Sequence, residues 1–404
     1  MTGMKRFAAE ARFVLACCAA GPDAIATGSN SAVPPAANLD WRRVIDLALG
    51  EGVMPSVYRF LAGYRAEDIP EHAMRELRFH FQGNSLRNRL LARELSRLTA
   101  LLESHGITPI AFKGPLLAQM AYGDVALRQF SDLDLLVPRS EMPRVIEVLD
   151  KQGFSPQLSS PAIVTNGFFQ ASEDAFIKPG TMTVIDLHWD LMPRYFPFAP
   201  AAEQVRRRAI RQRLEDGEVW APALHHQMLI ACVHGTKHGW PSLGAIADVA
   251  ALLRIENGYD WPGLYDEAAA LGSLPMLLLG LRLAHAALAA RVPDSAVEMA
   301  RRDPIVSSLA PRLLDSLFAS YEDPRISFFH DWMVPLRAIG RRRAQLAYVV
   351  DRAFAPTFDD WQFVRLPGPL FPLYYPLRPL RLLIQQTPRL SSALGRRLSP
   401  EVRR

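Results

Sequence analysis

Two aspartates one residue apart, in Ser131-Asp132-Leu133-Asp134-Leu135-Leu136-Val137, are the strongest chemical signal in this chain of 404 residues. The apolar residues around them predict a strand, on which alternate residues share a face with alpha carbons roughly 6.5 Å apart. Asp132 and Asp134 then project together, while Leu133 and Leu135 pack behind. Unit charges about 4 Å apart repel by roughly 4 kcal/mol at a surface-like dielectric. A cation between them removes that cost. Mg²⁺ suits the arrangement, being a hard ion held by one or two carboxylates together with substrate phosphates.

The elements that must position this pair lie in 107–137. Ile107 to Phe112 reads as a short strand, ended by Lys113-Gly114-Pro115. Pro115 is pre-set for the first helical position, and Leu116 to Tyr122 continue as helix. A polar loop carrying Arg128 leads into the aspartate strand. This unit resembles the nucleotidyltransferase superfamily typified by DNA polymerase beta, with a glycine at a helix start, a strand bearing Asp-x-Asp and a third carboxylate on a later strand. More narrowly it resembles the uncharacterised bacterial nucleotidyltransferase family, through Lys113-Gly114, Arg128 four residues before Asp132, and Asp132-Leu133-Asp134-Leu135-Leu136-Val137. Leu39-Asp40-Trp41, Gly52-Val53-Met54-Pro55, and His234-Gly235-Thr236-Lys237-His238-Gly239-Trp240 with the helix bearing Asp248 extend that likeness.

The resemblance implies an α+β fold: a small mixed-sheet nucleotidyltransferase core flanked by N-terminal and C-terminal helical regions. It also implies transfer of a nucleoside monophosphate from a nucleoside triphosphate, ATP or another, to an acceptor hydroxyl with release of pyrophosphate. Asp132 and Asp134 would hold one or two Mg²⁺, and two such ions about 3.5–4 Å apart can stabilise both attacking and leaving oxygens. Asp186, in Val184-Ile185-Asp186-Leu187-His188-Trp189, is the expected third carboxylate and would favour deprotonation of the acceptor. Strand alternation puts His188 on the face of Asp186, where it could assist the base, contact phosphate or hydrogen-bond at the cleft edge. Gly114 would let the backbone approach the phosphates, and Lys113 and Arg128 would neutralise the leaving group. Lys237 and His238 either reach the nucleotide from the helical domain or make interdomain hydrogen bonds, with Asp248 pairing Lys237 or a histidine. His234 and His238 have the spacing of a zinc pair, but the glutamate of a metalloprotease is missing.

One departure is Pro115. The superfamily has Gly-Ser or Gly-Gly in the turn, where a hydroxyl or N–H meets phosphate, and Pro115 supplies neither. A non-catalytic nucleotide- or metal-binding accessory module is the alternative it raises, against which stands the complete carboxylate set. The acceptor is expected to be a small molecule, peptide or protein. A nucleic acid is disfavoured because no concentrated basic, aromatic-studded groove is visible.

The expected organisation is an N-terminal helical region over 1–105, the α/β core over 106–200, a helical domain over 201–350 and a Pro/Arg/aromatic strap and tail over 351–404. Asp40 is expected to cap a helix, Gly180 to lie near a hairpin turn with arms at 168–179 and 181–189, and Arg75, Arg78, Arg89 and Arg93 to share one face of a long helix as a solvated surface or a cleft wall. Segment 367–384 carries five prolines and cannot be one regular helix. It reads as a strap packed on the helical domain, with membrane-surface contact through Phe371, Tyr374, Tyr375 and Arg378 as the other option. A formal charge of +5 is mild and does not by itself indicate nucleic acid. Three cysteines without metal spacing fit a reducing cytoplasm. Glu10 and Arg12 interrupt the apolar N-terminal stretch and argue against a signal peptide.

Overall fold

A computed structural model describes residues 8–27, 38–63, 69–157, 172–255 apart from 182 and 216, 258–319, 326 and 329–383. The start of the expected first hairpin arm, 168–171, therefore falls outside the described residues, as does the tail beyond 383. The fold is mixed α+β, with one seven-stranded sheet and helices on either side in sequence.

The N-terminal helices are α1 (Ala9–Thr27), α2 (Trp41–Gly50) and α3 (Met54–Gly63). Asp40 does cap α2, accepting from the Arg43 backbone N–H at 3.1 Å. Helix α4 (Glu71–Ser104) follows, and its 34 residues span about 51 Å. Ala73 and Leu77 at one end join a large helical core, while Leu91, Leu95, Leu98 and Leu102 at the other pack under the sheet. That helical core also takes in α1 to α3 and the helices of 224–338. The two helical regions, far apart in sequence, thus bury one common apolar interior, with α4 connecting it to the sheet.

The strands are β1 (Ile110–Ala111), β2 (Asp132–Leu136), β3 (Ser155–Pro156), β4 (Glu173–Lys178), β5 (Thr183–His188), β6 (Ile210–Leu214) and β7 (Gly217–Ala221). Their order is β3-β4-β5-β2-β1-β7-β6. β2 runs parallel to β5 and to β1 antiparallel, and β7 is parallel to β1. β1 is shorter than Ile107–Phe112 because Pro109 has no N–H to donate and Lys113-Gly114 turns the chain away. The β6–β7 hairpin lies beyond residue 200, inside the stretch expected to be helical, and it completes the sheet by pairing with β1. Its alternating Ile210-Arg-Gln-Arg-Leu214 pattern is short and arginine-rich, which hides the strand.

One sheet face is apolar. Leu133, Leu135, Ile185, Leu187, Phe176 and Val219 are all fully buried against α4 and α5 (Met142–Lys151). The opposite face carries Asp132, Asp134, Asp186 and His188, and it looks toward the helical body. Segment 367–383 packs rather than straps flat: a 3-10 turn at Gly368–Leu373 leads into helix, Tyr374 is fully buried beside Trp361, and Arg378 is buried too.

Candidate active site

In the parallel register Asp134 lies opposite Asp186, and Asp132 is two residues earlier on the same face. The parallel alignment places side chains of paired residues side by side, so Asp134 and Asp186 meet while Asp132 lines the same cleft from the same face. Donor atoms of Asp134, Asp186 and His188 lie within 4.8 Å of one another. The floor is thus built from the Asp-x-Asp strand and the second arm of the hairpin, whose turn at Gly180 has a φ of +81°.

Lys113 caps this cluster from the β1 turn, its ammonium donating to Asp134 Oδ1 at 3.1 Å. Gly114 has a φ of +47°, and a Cβ there would stand 2.9 Å from the Asp132 carbonyl oxygen. The glycine therefore serves two ends: the left-handed turn that aims Lys113, and close packing of that turn on the aspartate strand. His188 Nε2 is 3.1 Å from the same Asp134 oxygen, and its Nδ1 is 2.8 Å from a carboxylate oxygen of Glu173. Its ring also meets Phe112 edge-on, with centroids 4.8 Å apart.

Glu173 is the functional-site residue that sequence reasoning missed. It was readable in principle, because counting back from the Gly180 turn sets Glu173 opposite His188 in the antiparallel β4–β5 pair. Its carboxylate makes His188 a bridge between two acids. Burial opposes protonation of His188, but the hydrogen bond to Asp134 and the close Glu173 carboxylate outweigh it and raise its pKa above the usual histidine range. Burial likewise opposes ionisation of Asp134, yet Lys113 and His188 overcome it and bring that carboxyl down to about 2. Asp186 goes the other way. Burial and the nearby Asp132 and Asp134 push it up to about 6. Asp132 is raised as well, by burial and by Asp134.

The carboxylates lie on one wall of a cleft of about 510 Å³, lined also by Lys113, Gly114, Arg128, Gln227, His234 and His238. Arg128 is held by α4, where the Asn84 and Asn88 side-chain amides donate to its carbonyl at 3.2 and 2.7 Å. Its guanidinium makes two 2.9 Å hydrogen bonds to Asp248, whose carboxylate also accepts from the Tyr122 hydroxyl at 2.9 Å. Asp248 thus pairs with Arg128 and Tyr122 rather than with Lys237 or a histidine. It rides on the helix Leu243–Leu252, which Glu51 caps: the Glu51 carboxylate accepts from Leu243 N–H and its carbonyl from Gly244 N–H. The Gly52-Val53-Met54-Pro55 segment therefore sits next to the cap that orients Asp248.

The other predicted residues fall as follows. His238 ends the helix Leu224–Lys237, which continues through Gly235, and its ring lies 4.5 Å from that of His234. Gly235 is required by Trp240, whose ring would meet an added Cβ at 2.8 Å. Desolvation, Lys237 and Lys113 push the His238 imidazole down to about 4. His234 and His238 do not belong to a group of three metal-type donors among the described residues. Lys237 and His188 are not among the residues that line the cleft. Arg75, Arg78, Arg89 and Arg93 do not line the cleft; Arg89 instead pairs with Glu215 at 3.1 Å and Asp124 at 3.5 Å.

A mixed sheet presenting carboxylates from two parallel strands beneath a lysine–glycine turn defines a nucleotidyltransferase-type core. The sequence model of the uncharacterised nucleotidyltransferases matches residues 37–289, well over half of the chain, and the chain belongs to that family. No curated protein matches it. Among the described residues no helix is long and apolar enough to cross a membrane.

Proposed function

We propose that the protein is a Mg²⁺-dependent nucleotidyltransferase that moves a nucleoside monophosphate from a nucleoside triphosphate to an acceptor hydroxyl and releases pyrophosphate. The observation that carries this reading is the register of β2 against β5, which sets Asp134 beside Asp186 with Asp132 on the same face. Membership of the family supports the reaction class.

The donor set fits a hard divalent cation. Oxygen donors from two strands converge, and both Asp132 and Asp186 are held above their ordinary pKa by burial and mutual repulsion, a strain that a bound cation relieves. Asp132, Asp134 and Asp186 would hold Mg²⁺, which when bound supplies charge stabilisation on the phosphoryl oxygens. The chain's own residues do the rest. Asp186, beside Asp134 on the neighbouring strand, would complete the second ion's site and favour deprotonation of the acceptor hydroxyl. His188, clamped by Glu173, fixes the Asp134 carboxylate in place. Lys113 stands where it can pass from Asp134 to a triphosphate oxygen. Arg128 lines the cleft with its charge shared by Asp248 and would stabilise the leaving group.

Isothermal titration with each nucleoside triphosphate in the presence of Mg²⁺ tests the reading. Binding is expected for the parent and lost in Asp132→Asn. Labelled triphosphate incubated with cell extract should leave label on an acceptor. Binding that Asp132→Asn leaves unchanged, or binding without turnover, would refute it.

A further inference from the structure

The C-terminal unit has a small apolar core around Trp361 and Tyr374 and leaves many large apolar side chains outside it. Arg378 and Arg381 are buried in the unit and share Asp360, at 3.0 and 2.6 Å, and Asp360 is itself only 3% exposed. On the helix Arg342–Phe354, Leu346, Val349, Val350 and Phe354 recur at helical spacing and are all exposed, Leu346 to 66%. Phe363, Val364, Leu370, Leu373 and Leu380 are exposed in the segment that follows. Of the fifteen large hydrophobic residues exposed among the described residues, eleven lie between 346 and 383, so the feature is concentrated in this unit, with Phe79, Leu86 and Leu90 of α4 and Ile210 as the others. A folded soluble surface does not concentrate apolar side chains in this way unless something covers them.

Charge decides between the candidate occupants. Residues 341–383 contain seven arginines and three acidic residues, a formal +4 in a chain whose total is +5. Arg341, Arg342 and Arg343 open the apolar-striped helix and are exposed, and exposed Arg365 follows Val364 directly. Two copies of such a unit placed face to face would repel. An anionic bilayer surface attracts the arginines and receives the leucine and phenylalanine side chains at the headgroup boundary. We propose that the 342–383 unit docks this protein on an anionic lipid surface, peripherally and without spanning it. The proposal is independent of the transfer reaction.

Sedimentation of the full chain with vesicles of phosphatidylcholine alone, and of phosphatidylcholine and phosphatidylglycerol in equal parts, tests it. Binding is expected on the anionic vesicles, weakened by high salt, and each Arg→Gln change at 341, 342 or 343 should lower partitioning roughly fivefold. The double variant Leu370→Glu, Leu373→Glu should lose vesicle binding while its circular dichroism melt is unchanged, because neither side chain is buried. The proposal is overturned if the parent fails to bind anionic vesicles, or if the double variant binds them as well as the parent does. It is also overturned if light scattering shows a dimer that the double variant dissolves.

Discussion

Asp186→Asn should make the ion-free protein more stable at pH 8, although it removes a residue central to the proposed site. The Asp186 carboxyl is raised from its ordinary 3.8 to about 6 by burial, Asp132 and Asp134. A shift of about two units corresponds to roughly 3 kcal/mol of differential interaction. Asp186 is partly exposed, so solvent screening reduces this to about 1–2 kcal/mol. The sign follows from proton binding. Between about pH 4 and 6 the folded chain keeps a proton that the unfolded chain has released. The associated stability is complete below pH 4 and is lost as pH rises through 6. Asparagine carries no charge at any pH, so the variant escapes that loss. Urea unfolding in EDTA, followed by tryptophan fluorescence at pH 4 and pH 8, measures it through the midpoints at constant slope. The variant should gain about 1–2 kcal/mol at pH 8 relative to the parent and little at pH 4, with a shallower dependence between. Adding Mg²⁺ should then reverse the order. At a hundred times its dissociation constant a cation stabilises the parent by about 2.7 kcal/mol, whereas the variant gains much less. A variant less stable than the parent in EDTA at pH 8 would show that Asp186 is a structural hydrogen-bonding residue, and the electrostatic reasoning would be refuted.

Asp248→Ala should cost roughly 3 kcal/mol in urea unfolding because it leaves Arg128 and Tyr122 without their shared partner; the double variant Arg128→Met, Asp248→Leu should recover most of that loss. Gly114→Ala should cost about 1–2 kcal/mol, since it forces a left-handed backbone and crowds the Asp132 carbonyl, and titration calorimetry should show weaker Mg²⁺-triphosphate binding. Lys113→Met should raise the Asp134 carboxyl above its present value of about 2, visible by NMR titration. The same variant should lower transfer by ~100-fold or more if the ammonium serves the phosphates.

Much of the site was legible because its signals are local. Alternation along Asp132-Leu133-Asp134-Leu135 and along Ile185-Asp186-Leu187-His188 assigns each residue to a face without knowledge of the fold, and buried Leu133, Leu135, Ile185 and Leu187 follow from the same pattern. The Lys-Gly turn and the Asp40 cap were equally local. What escaped depended on contacts between distant segments. Glu173 became part of the site only through the register of β4 on β5. Asp248 found Arg128 across 120 residues of sequence, where reading along the helix had pointed to Lys237 or a histidine. Of the two readings of the α4 arginines, the solvated surface holds, all four being exposed, and the cleft wall does not. The β6–β7 hairpin was missed because two arginines in a five-residue edge strand obscure its alternation.

By itself, the sequence determined which residue types stand two apart on which strands, where glycine must turn the chain, and the family to which that pattern belongs. Those are properties of backbone geometry over a few residues, and the pleat and the turn enforce them wherever the strand ends up. Only the tertiary structure decided that β5 lies parallel to β2 in a register that sets Asp186 against Asp134. It also decided that Lys113 and His188 share one oxygen of Asp134, and that the helical body closes over them with Asp248 on Arg128. The strength of a charge interaction depends on separation and burial, and both are set only when segments remote in the chain pack together.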